Sequence, residues 1–168
     1  MAQDSGVAEL TPSLAGLLTV AEENHIDMAA LVRGVPVEGL KWMPVKETPH
    51  LSGHVLHVLE LEEYVARVLA GEDIEWTRPL GSSLEFVMPA GKLLERIAET
   101  DERLRAAIAQ CSPERLAQPQ PGSDRTIGEM LVEDLAHSSQ HVGHMQLTRL
   151  LMVQTLKSLQ VPEYVPWG

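Results

Sequence analysis

Three histidines, His137, His141 and His144, recur at helical spacing near the C-terminus. On an α-helix each residue advances about 100°, so Asp134, His137, His144 and Thr148 fall within roughly 60° of His141. Ile127, Met130, Met145 and Met152 share that sector, and the imidazoles therefore point toward a core. Neutral imidazole is a common ligand for transition metals. His137 and His141, at i and i+4, can reach one cation together, and a third imidazole from another element would leave a fourth position for water or substrate. A metal with an open position polarises a substrate or lowers the pKa of bound water or a thiol. Ser138 follows His137, so this is not the His-Glu-x-x-His helix of metalloproteases. Asp134 is placed to orient an imidazole from outside the coordination sphere.

A second cluster supplies the missing partner. His50, His54 and His57 lie on a sector shared with Gly53, Glu60, Leu61, Tyr64 and Val68, and spacing alone does not choose between His54 and His57. One core histidine is most simply a hydrogen-bonded structural residue, but here six of the seven fall in two clusters on two apolar faces. His50 and His144 are expected at the rim of such a site. The seventh, His25, forms Glu22-x-x-His25, a spacing used by di-iron bundles; those need two such motifs, and His25 reads as a packing or surface residue.

The elements that position these groups are helices. Thr11-Pro12 is a cap followed by proline, and Leu14, Leu17, Leu18, Ala21, Met28 and Val32 mark a stripe ending at Gly34. A connection with Pro36, Gly39, Trp42 and Pro44 has room for one helical turn, with Trp42 as its anchor. Thr48-Pro49 opens a second helix that runs to Ala70, before Gly71. From Glu72 to Met88, with Trp76, Pro79, Gly81 and two serines, periodicity is lost and a long crossing is expected. Pro89 opens a third helix with Leu93, Ile97, Leu104 and Ile108 inward and its charges in solvent. Ser112-Pro113 caps a short turn, and Thr126-x-x-Glu129 is a capping box for the last helix, Thr126 to Met152. The tail from Leu159, with Pro162, Pro166 and Trp167, is not helical and is expected, with the long crossing, to line the mouth of the site.

The chain's 168 residues suit one domain, residues 1–168 with a core over about residues 11–158. Hydrophobic residues make up 44% and aromatics only 4%, which favours all-α packing. A formal charge of −11 with 13 scattered Lys and Arg argues against nucleic acid and anionic membranes as partners. One cysteine, Cys111, excludes an internal disulfide. With no basic leader or long apolar run, a cytoplasmic location is expected.

The run His137-Ser-Ser-Gln-His141-Val-Gly143-His144, followed by Met145, Leu147 and Arg149, resembles the last-helix signature of the DinB/YfiT-like bundle proteins, in which His-x3-His precedes x-Gly-Gln. His144 stands where those relatives carry Gln. The segment His57-Val-Leu-Glu60-Leu-Glu62-Glu63-Tyr64 resembles the family's second-helix segment, where the remaining metal-binding histidine precedes an acidic residue and an aromatic. The Trp42 to Pro44 connection, the long crossing and the capped last helix extend the resemblance over nearly the whole chain. It implies an up-down-down-up four-helix bundle holding one divalent metal (zinc, nickel or iron) through His57, His137 and His141, with His54, Glu60, Asp134 and His144 around it.

Relatives of that kind include thiol-dependent S-transferases and isomerases that use bacillithiol, mycothiol or glutathione. The resemblance thus implies a metal-dependent enzyme activating a thiol or water, acting on a small molecule and forming a homodimer. Arg outnumbers Lys, a bias of GC-rich bacterial genomes that hints at mycothiol or another thiol. Two other readings are a non-catalytic metal-binding stress bundle and a purely structural helical dimer module.

Overall fold

The computed structural model describes residues 7–46, 48–74, 76 and 86–164, with side chains from Leu14 onward. The helices are α1 (Val7–Val32), α2 (Val37–Leu40), α3 (Leu51–Leu69), α4 (Ala90–Gln110), α5 (Pro113–Leu116) and α6 (Ile127–Thr155). Among the described residues the only β pairing is an isolated bridge between Pro119 and Thr126. Among the described residues no helix is long and apolar enough to cross a membrane.

Local chemistry explains most boundaries. At the start of α6, Thr126 Oγ1 accepts from Glu129 N while the Glu129 carboxylate accepts from Thr126 N, a reciprocal cap. Gly71 follows α3 at φ 94°, a left-handed position suited to glycine. Three boundaries differ from expectation. Thr48 does not cap α3, because its hydroxyl donates back to Val45 O. His50 does, its Nδ1 accepting from Gly53 N at 2.8 Å, so one edge of this ring is committed to a helix end while the ring stays close enough to His54 to influence its charge. Helix α1 starts at Val7 and runs through Thr11-Pro12; the proline forgoes one backbone bond without ending the helix. Helix α6 continues a turn past Met152 to Thr155.

The four long helices form a bundle in which α1 and α3 each lie between α4 and α6. Asn24 meets Leu135 and Leu31 meets Arg149, so α1 and α6 run in one sense. Ser52 meets Met88, and Glu63 meets Arg96 and Arg103, so α3 and α4 run together. His54 meets His141 and Glu62 meets Ser138, which sets α3 opposite to α6.

The core has two apolar clusters. One holds Met28, Leu31, Leu56, Leu59, Leu93, Ile97, Met145 and Met152. The other holds Ala21, Val65, Leu69, Leu104, Ile108, Leu131 and Leu135. On every long helix the change from one cluster to the other coincides with buried polar residues: His25, Glu62, Thr100 and Ser138. Trp42 and the tail residues Leu159, Val161 and Tyr164 pack on the first cluster. The tail is fixed by buried Arg149, which donates to Leu31 O and Pro162 O. Its contacts lie with Gly34, Gly39, Gln146 and Arg149. Pro79, Gly81 and both serines of the crossing, and Pro166 and Trp167 of the tail, lie outside the described residues.

Candidate metal centre

The facing turns of α3 and α6 bring four half-buried or buried imidazoles together. His57 Nε2 lies 3.3 Å from His137 Nε2, which lies 3.0 Å from His141 Nε2. One nitrogen from each of His57, His137 and His141 falls within 4.8 Å of the other two, so the group could hold a metal ion. Nitrogens bound at about 2.0–2.1 Å around one tetrahedral zinc stand roughly 3.3 Å apart. The spacing fits a small divalent ion with little rearrangement. His54 Nδ1 sits 2.8 Å from His141 Nδ1. With a proton on that edge, the Nε2 lone pair of His141 is left facing His57 and His137.

Burial keeps these rings neutral. It lowers the His141 pKa to about 3, with further lowering by His137, His54, His57 and His144. Burial and the neighbouring His144, His57 and His50 lower His54 to about 4. His57 is lowered by burial and by His137. For His137 burial also dominates, partly opposed by the charge of Glu62. At neutral pH the cluster therefore presents lone pairs and not positive charge, which is the state a metal needs.

Of the surrounding residues expected from the sequence, the structure brings some close and not others. His54 is buried against His141. His144 is exposed at the edge, its ring 5.7 Å from that of His141 and 5.8 Å from that of His54. It groups with those two and not with His57 and His137. Asp134 is buried, yet neither its oxygens nor His137 Nδ1 has a hydrogen-bond partner among the described residues. Asp134 thus orients no imidazole through a hydrogen bond to a described residue. Burial, with the charge of Glu62, raises the Asp134 carboxyl well above the usual carboxylate range. Glu60 is half-buried on α3, and the acid that reaches the interior is Glu62. A cleft of about 500 Å³ runs past Asp134 and His137 and is walled by Leu61, Tyr64, Val65 and Trp76. Tyr64 and Trp76 pack edge to face at 5.0 Å. Among the described residues of the long crossing, Trp76 lines this cleft.

Sequence reasoning missed one buried network. His25 is neither a surface nor an apolar packing residue: Nε2 meets Glu62 Oε2 at 2.7 Å and Nδ1 meets Asp101 Oδ1 at 3.0 Å. Ser138 donates to the other oxygen of Glu62 at 2.8 Å. Asp101 is accordingly not on a solvated face of α4, as its position among charged neighbours suggested. Two carboxylates flanking one ring favour imidazolium. The His25 pKa is accordingly raised, burial opposing the shift but Glu62 and Asp101 outweighing it. The signal in the sequence was Glu62 itself, an acid on the apolar side of α3.

No curated protein matches the chain. A family model, that of the DinB superfamily, matches residues 21–145. That span begins on α1 and takes in α3, α4 and most of α6, including the whole histidine cluster. The match covers well over half of the chain, which therefore belongs to the DinB superfamily.

Proposed function

We propose that the protein holds a divalent transition metal through His57, His137 and His141 and uses it for thiol-dependent S-transfer or isomerisation of a small molecule. What carries this reading is the convergence of three Nε2 atoms beside a cleft, with no fourth donor grouped with them among the described residues. Zinc, nickel and iron all accept imidazole. An ion held there would draw a thiol toward its thiolate, the nucleophilic form.

The chain's own residues supply the setting. His54 faces Nδ1 of His141 and so keeps the opposite edge of that ring for ligation. Tyr64 and Trp76 form an aromatic wall along the cleft. A low-molecular-weight thiol such as bacillithiol, mycothiol or glutathione is the proposed co-substrate. A homodimer is proposed through the outer side of α6, where Leu147, Leu150 and Val153 remain exposed.

Untagged protein should contain stoichiometric metal, lose it in His141→Ala, and conjugate a model electrophile with at least one of these thiols. Metal without conjugation would leave the non-catalytic metal-binding bundle as the better reading. Metal content indifferent to His141→Ala would favour a structural module.

A further inference from the structure

His141 stands between two groups of histidines. Its Nε2 faces His137 at 3.0 Å, with His57 beyond. Its Nδ1 faces His54 Nδ1 at 2.8 Å. His144 closes on the second side, tilted against His54 and edge-on to His141. Nitrogens of His54, His141 and His144 fall within 4.8 Å of one another, the same limit met by the first group. The two ring nitrogens of His141 thus address different groups and do not compete for one lone pair.

A hydrogen bond from His141 to His54 accounts for two of these three rings and gives the third no reason to converge. We propose that His54, His141 and His144 form a second cation site, for a zinc- or copper-like divalent ion, which shares His141 with the first. The proposal rests on the reading of His57, His137 and His141 as the first site.

The chemistry of the shared ring balances. A second ion takes the position of the His141 Nδ1 proton, which passes to solvent, as expected when metals displace protons from their ligands. The ring then bridges as imidazolate, and its negative charge offsets part of the repulsion between the two cations. Three imidazoles select borderline ions over calcium or magnesium, which prefer oxygen. Exposed His144 gives solvent-borne ions access. The 2.8 Å contact must open by several tenths of an ångström to reach the roughly 3.3 Å of tetrahedral ligands.

The test uses untagged protein, stripped by chelator and dialysed against buffered free zinc, and compares wild type with His144→Gln. His144 is exposed, so this change spares the fold, which circular dichroism checks. The expected result is two zinc ions per chain in wild type and one in the variant. Equal content in the two proteins overturns the second site; one ion in each leaves the first site standing, whereas none in either removes both. Titration with Cu(II) tests the sharing. Coupling through a common ring should diminish the paramagnetic resonance signal of the first equivalent as the second binds, and two additive signals would overturn the bridge.

Discussion

Two histidine environments within one bundle interior have opposite chemistry. Between α3 and α6, imidazoles face imidazoles, burial dominates, and His54 and His141 are held neutral down to about pH 4 and 3. At the level where the two apolar clusters meet, His25 faces two carboxylates that favour its charged form and raise its pKa against the effect of burial. The difference lies in the partners and not in burial, since His25 and His54 are both almost fully enclosed. A neutral cluster offers lone pairs to a cation, whereas a ring with both nitrogens engaged by carboxylates fastens three helices and offers none.

The largest effect is expected from breaking the charged region. His25→Ala leaves Glu62 buried without its counter-ion and should cost about 3–5 kcal/mol, read by chemical denaturation. Metal content per folded chain should not change. Loss of metal in this variant would show that the two regions are one unit.

Removing a ligand should do the reverse. His141→Ala should abolish metal binding while the metal-free protein unfolds close to wild type. The lost linkage is about 2.7 kcal/mol when free metal is 100-fold above Kd, roughly 5–11 °C in Tm. A variant that still gains stability from added metal would break the assignment of His141.

The pH dependences should have opposite signs. The raised pKa of His25 means that the native state holds a proton which the unfolded chain releases near pH 6.5. Its contribution is complete below pH 6.5 and is lost as pH rises through the folded value. In metal-free protein His54 and His141 have depressed values. Their contribution is present above pH 6.5 and is lost as pH falls through about 4 and 3. Denaturation from pH 4 to 9, comparing wild type with His25→Gln and with His54→Gln, should place the two losses at opposite ends. Losses at the same end would contradict the contrast.

The smallest effect is expected at Asp134, which lies beside the cleft with His137 and senses Glu62. Because its carboxyl is held toward the neutral acid, Asp134→Asn exchanges one uncharged polar group for another. Stability at neutral pH should move by no more than about 1 kcal/mol. A larger loss would mean that Asp134 acts as a charged partner of the cluster.

Much of this arrangement was legible in the sequence because it follows from periodicity and local chemistry. The stripe of Leu93, Ile97, Leu104 and Ile108, the Thr126 to Glu129 box and the histidine rows each depend on residues a few positions apart. His50 was harder, since a histidine at a helix start caps as Thr48 might, and only the bond from Thr48 to Val45 decides between them. The His25, Glu62 and Asp101 contact was not legible. Its members lie on three helices, and nothing local distinguishes Asp101 from the solvated acids around it. The side taken by His144 likewise depends on how α3 and α6 face each other, which residue spacing does not encode.

The most direct measurement is anomalous diffraction from crystals of protein loaded with zinc, recorded on both sides of its absorption edge. A peak about 2.0–2.1 Å from Nε2 of His57, His137 and His141 is the predicted result. No zinc peak among those three rings, or one that leaves any of them unbound, would contradict the assignment of the site.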